Sequence, residues 1–186
     1  MEFIGLEKIN EGKFVTRYDL KYKTQSGNIK NYEMISRNKN LNSFEQLKQE
    51  KSDAVIMIVH DVTGEKILLN KEFRMAVGTS VYNFPAGLID PGEDFKVAAK
   101  RELWEETGLE MIEVKETWPM SYSAVGPSNE TGIVVVATAK GDFKPSTSDE
   151  EEIEAGWYTK EEVAELIKTQ KFAARTQCYC IMWAKS

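Results

Sequence analysis

Residues 87–109 read GLIDPGEDFKVAAKRELWEETGL, and three glutamates, Glu102, Glu105 and Glu106, crowd behind Arg101 near the end of the stretch. On a helix Glu102 and Glu106 are one turn apart, and Glu105 lies about 60° to the other side of Glu102 at roughly 100° per residue, so the spacing predicts three carboxylates aimed at one patch. Like charges so spaced repel by about a few tenths of a kcal/mol per pair on an isolated helix. The last turn is also the end where the helix dipole favours cations. Something positive has to compensate. Arg101 neutralises one carboxylate, and two readings remain for the others: a solvent-exposed acidic helix end, or a hard divalent cation such as Mg²⁺, which takes oxygen ligands and keeps waters for a substrate phosphate.

The elements that must position these residues are legible locally. Asp94 to Thr107 reads as a helix in which Phe95, Ala98, Ala99, Glu102, Leu103 and Glu106 share a face, apolar at first and acidic later. Gly108 stands where a left-handed residue ends helices. Strands are expected at 3–9, 13–23 and 29–37, the last two joined as a hairpin by QSGN at 25–28. Others are expected at 53–61, 65–74, 80–84, 112–118, 130–139 and 153–158, with a long loop, MSYSAVGPSNET, after the strand at 112–118. TKEEVAELIKTQ opens with a capping-box pair, Thr159 and Glu162, and 173–184 is a further helix candidate. Strands followed by helices without regular βαβ alternation predict an α+β sandwich.

A chain of 186 residues suits one domain, or one domain with an extension. Its net charge of −6 argues against nucleic acid or an anionic membrane as main partner, since both need a basic footprint. A small anionic substrate remains open if a cation mediates. The apolar runs AVIMIV and IVVVATA are too short to span a bilayer and suit buried strands. The opening MEFIGLEKINEG has no basic region leading into an apolar stretch, so the expectation is a cytoplasmic chain. Cys178 and Cys180 are too close along the chain for an unstrained bridge and read as free thiols. His60, the one histidine, receives no role.

Gly87, Glu93, Arg101, Glu102, Glu105, Glu106 and Gly108, with aliphatic Leu103 and Leu109, match the Nudix hydrolase signature G-x5-E-x7-R-E-U-x-E-E-x-G-U at every position, so the chain resembles that family over roughly residues 50–170. The resemblance implies a mixed sheet inside an α/β/α sandwich spanning 51–186. It also implies a β-rich extension at 1–50 of the kind that packs across a homodimer. It further implies Mg²⁺, with Mn²⁺ as a substitute, bound by Glu102, Glu106, Glu105 and the carbonyl of Ala86. Arg101 would orient the glutamates, with Glu93 behind it. NFPAGLIDPGED, EFR at 72–74 and SAVGPSNE at 123–130 resemble the ADP-ribose pyrophosphatase-like subfamily. That makes Arg74 and Gly87 candidate substrate contacts, and Glu105 and Glu130 candidate acid/base groups. The chain departs from the subfamily at Val125, Asn83 and Glu72, where proline, glutamate and glutamine are usual. The implied reaction is hydrolysis of ADP-ribose to AMP and ribose 5-phosphate, with nucleoside diphosphate sugars, or nucleotide sensing without turnover, as alternatives. Trp104, Trp118, Tyr122 and Trp157 are open to packing or to stacking on a base.

Overall fold

The computed structural model describes residues 1–186, which divide into one unit of residues 1–53 with 120–132 and a second of residues 54–119 with 133–186. In the first unit β1 (Glu2–Glu11), β2 (Thr16–Lys23) and β3 (Ile29–Ser36) form an antiparallel sheet in that order. The expected hairpin turn is present, with Gly27 at φ +85°, where a side chain would be strained. Tyr18, Leu20, Met34 and Leu41 form the unit's core, with Phe3, Leu6, Tyr22 and Leu47 packed on it. The Tyr18 hydroxyl donates to the Asn38 carbonyl (2.9 Å) and accepts from Leu41 N–H (3.2 Å).

The boundary expected after residue 50, with everything later in one domain, differs from this division. Residues 120–132 join the first unit because their backbone bonds go there: Ile35 N–H to the Pro127 carbonyl (2.8 Å), Asp53 N–H to the Thr131 carbonyl (3.2 Å), and Thr131 N–H to the Asp53 carboxylate (2.9 Å). Strand β8 (Glu110–Tyr122) also runs four residues past its expected end, through Pro119, and shortens the anticipated loop.

The remaining strands are β4 (Ala54–His60), β5 (Lys66–Arg74), β6 (Thr79–Asn83), β7 (Ala86–Leu88), β9 (Thr131–Lys140) and β10 (Ile153–Thr159). With β8 they make a seven-stranded mixed sheet ordered β10-β5-β4-β9-β8, with β6 paired to β5 and β7 to β4. Side chains in the second unit alternate between two cores, as the strand period of two requires. Val55, Met57, Val59, Leu68, Val135 and Ala137 meet Ala98, Ala99 and Leu103 of α1 (Phe95–Thr107) on one face. Ile56, Ile58, Ile67 and Leu69 meet Val163 of α2 (Lys160–Thr169) and Cys180 of α3 (Ala174–Trp183) on the other. This is the α/β/α sandwich, with the acidic helix as one outer layer. No helix is long and apolar enough to cross a membrane.

Candidate active site

Both ends of α1 are set by local chemistry. The Asp94 carboxylate accepts from Lys96 N–H at the start, and Gly108, at φ +76°, returns its N–H to the Trp104 carbonyl (2.8 Å) at the end. The three glutamates therefore occupy the final two turns. Strand β7, three residues that propensity did not reveal, pairs antiparallel with β4 through Ala54–Leu88, Val55–Gly87 and Ile56–Ala86. This brings the loop before α1 back against the helix's acidic end.

Arg101 binds the loop to the helix. Its Nε and Nη2 donate to the two oxygens of Glu93 (3.0 and 2.9 Å), Nη2 donates also to the Leu88 carbonyl (3.0 Å), and Nη1 donates to Glu102 (2.7 Å) and Glu105 (3.1 Å). This is the forked geometry at which guanidinium differs from ammonium. The Arg101 hydrogen bonds, helped by the Asp90 N–H, hold the Glu93 carboxyl below its ordinary range.

Glu106 is the anomaly. It is 8% exposed, its Oε2 accepts from Asn70 Nδ2 (2.7 Å) and its Oε1 from Ala86 N–H (3.4 Å). Burial pushes its pKa well above the usual value, and the Glu102 and Glu72 carboxylates push it further. Burial raises Glu102 as well, against the lowering effect of Arg101. Of the three carboxylates, Glu102 and Glu105 meet at one guanidinium nitrogen, Arg101 Nη1, while Glu106 turns inward to Asn70, and no three acids stand close enough to cage a metal by themselves. Glu102 and Glu106 are the pair that oppose each other. Their chemistry still fits a hard divalent cation, which needs only one or two carboxylates beside waters and substrate phosphates, and which would offset the burial of Glu106.

The other candidates are distributed as follows. Ala86 and Gly87 lie in β7, where the Ala86 N–H serves Glu106. A Cβ on Gly87 would meet the Glu102 carboxyl, which accounts for the glycine without a substrate. Arg74 is exposed and pairs with Glu72 (2.5 Å). Glu130 belongs to the first unit, where Arg37 Nε donates to it at 2.5 Å, while α1 belongs to the second. The Asn83 departure is structural, since its Oδ1 accepts from the buried Thr176 hydroxyl on α3 (2.8 Å). Trp157 and Trp118 pack against the two cores, while Trp104 and Tyr122 are exposed. Sequence reasoning missed Arg37 and Asn70. Asn70 carried a signal, a polar residue closing the buried run ILL.

A NUDIX domain model matches residues 50–177, so the chain belongs to the Nudix family. It is 35% identical over 139 residues to an ADP-sugar pyrophosphatase of Mus musculus, covering 73% of this chain and 60% of that protein. It is 34% identical over 131 residues to the chloroplastic Nudix hydrolase 19 of Arabidopsis thaliana (64% of this chain, 28% of that one). It is 32% identical over 123 residues to the NAD-capped RNA hydrolase ndx-9 of Caenorhabditis elegans (63% and 31%). The matched part thus spans less than two thirds of each of these relatives. The fold is shared with a crystal structure of an ADP compounds hydrolase, at a TM-score of 0.69 and 16% identity over 100% of this chain and 95% of that one.

Proposed function

We propose that the chain is a Mg²⁺-dependent pyrophosphohydrolase that cleaves the diphosphate of a nucleoside diphosphate derivative, ADP-ribose first among them, to AMP and ribose 5-phosphate. The observation that carries this reading is the opposed pair Glu102 and Glu106, half-buried and buried at the end of α1, within a complete Nudix signature. ADP-sugar and NAD-capped RNA substrates in the names of relatives support a diphosphate joined to adenosine.

Glu102, Glu106 and the Ala86 carbonyl would hold the cation. When bound, Mg²⁺ or Mn²⁺ neutralises the diphosphate, polarises its phosphoryl oxygens and lowers the pKa of an attacking water. The chain's own residues do the rest. Arg101 fixes Glu102 and Glu105 relative to the loop at Leu88 and Glu93. Glu105, half-buried beside Arg101, and Glu130 are the groups offered for proton transfer. The first unit is offered as a homodimer contact, which light scattering tests directly; a monomer at working concentration would remove it.

The deciding experiment incubates the purified chain with ADP-ribose, nucleoside diphosphate sugars, NAD⁺ and NAD-capped RNA, with Mg²⁺ or with a chelator, and identifies the products. AMP and ribose 5-phosphate formed only with Mg²⁺ are expected. Faster turnover of nucleotide sugars or capped RNA would reassign the substrate. Binding without any product would make the chain a nucleotide sensor.

A further inference from the structure

Asn70 lies in β5 and is 2% exposed, as buried as the leucines before it. Leu68, two residues earlier, packs in the core beneath α1 with Leu103, and Ala155 and Trp157 of the paired strand β10 border the same core. An amide is an odd choice there. Asparagine is depleted in strands, and buried side-chain atoms without a partner are few in native proteins. Yet Asn70 Oδ1 is buried with no hydrogen-bond partner. A leucine of similar size would bring no unpartnered oxygen into this core.

What the amide does lies at its other end. Asn70 Nδ2 donates to Glu106 Oε2 at 2.7 Å, while Ala86 N–H reaches Oε1 from β7. Donors on two strands thus hold the two oxygens of one carboxylate, and the β5 donor is the shorter bond. Resting on the cation-dependent reading above, we infer that Asn70 is a positioning residue. Its amide fixes the Glu106 carboxylate against rotation, so that this ligand is presented to a divalent cation already oriented. Groups that orient a ligand from behind typically change metal affinity by about 10- to 100-fold when removed.

The test is Mn²⁺ titration of nucleotide-free protein, read by electron paramagnetic resonance, for the wild type, Asn70→Leu, Glu106→Gln and the double variant. Asn70→Leu is expected to keep the wild-type circular dichroism and to weaken Mn²⁺ binding about 10-fold or more. In the Glu106→Gln background the same change is expected to have no further effect, because Asn70 acts through Glu106. Unchanged Mn²⁺ affinity in Asn70→Leu, or losses that add in the double variant, would overturn the assignment while leaving the cation reading intact. Should Asn70→Leu fail to fold, Asn70→Val, better suited to a strand, carries the same measurement. A wild-type protein that bound no Mn²⁺ would overturn the cation reading, and this assignment with it.

Discussion

Gly87 lies directly beneath the carboxylate of Glu102: a Cβ built on Gly87 would stand 1.9 Å from Glu102 Cδ and 2.1 and 2.4 Å from its oxygens. Heavy atoms do not approach so closely, so Gly87→Ala must displace the carboxylate. Because the obstructing atoms end a flexible side chain, the fold should tolerate the change, whereas the bond from Arg101 to Glu102 should not survive it. The expected result is a thermal midpoint lowered by no more than about 4 °C, roughly 1 kcal/mol for a chain of this size, with kcat reduced about 10-fold or more. Kinetics and calorimetry on one preparation check both. Full turnover would show that the placement of Glu102 is immaterial.

Arg101 reaches Glu93, Glu102, Glu105 and the Leu88 carbonyl at once, which only a planar guanidinium does. Lysine in its place keeps the charge and loses the fork. Arg101→Lys is therefore expected to lower kcat about 10- to 100-fold, the usual effect of losing a group that orients a metal ligand, while destabilising the chain only by about 1–2 kcal/mol at this part-exposed position. A variant equal to wild type in activity would reduce the network to surface decoration.

The boundaries of α1 were legible because they follow local rules. An apolar stripe with Ala98, Ala99 and Leu103 facing the sheet, Asp94 capping one end and Gly108 closing the other all lie within fifteen residues of sequence. The family signature likewise marks Arg101 and Glu93, and the structure pairs them. What was not legible depends on pairing between distant segments. The three-residue β7 exists because β4 offers it a partner, and residues 120–132 join the first unit because of bonds to Ile35 and Asp53. Helical angle sets Glu105 and Glu106 on either side of Glu102 but does not say how deeply each is buried. Their fates diverge because Asn70, thirty-six positions away from Glu106, meets one, and Arg101 holds the other.

Glu106 trades stability for function. Its folded pKa is raised above 4.5 by burial first and then by Glu102 and Glu72. Below the ordinary carboxylate pKa both folded and unfolded chains carry the proton, and nothing is lost. As pH rises above about 4.5 the unfolded chain ionises freely while the folded chain resists, so stability falls as pH increases. Glu106→Gln removes the ionisable group, and a flipped Asn70 amide can offer its unused Oδ1 to the new amide nitrogen. In chelator at neutral pH this variant is expected to be more stable than wild type by on the order of 1 kcal/mol, with turnover reduced by several orders of magnitude. Denaturant melts at acid and neutral pH test the first part. A Glu106→Gln chain less stable than wild type at neutral pH would show that Glu106 carries no burial strain.

A second pH dependence lies far from the glutamates, in the core between the sheet and helices α2 and α3. Cys180 is fully buried there, and burial pushes its thiol from 9.0 up to about 12. Below pH 9 the thiol is protonated in both states and contributes no dependence. Between about 9 and 12 the unfolded chain loses the proton and the folded chain does not, so stability falls across that window. At a pH near 10.5 the loss is on the order of 2 kcal/mol, from about 1.4 kcal/mol per pH unit. Tyr158 and Tyr179, also raised by burial, add to alkaline unfolding, so the useful quantity is the difference between wild type and Cys180→Ala. The variant should be the weaker protein at pH 8, because it leaves a small cavity, and should lose less stability on going to pH 10.5. Urea midpoints at the two pH values measure it, and parallel losses in both proteins would place the alkaline sensitivity elsewhere than in Cys180.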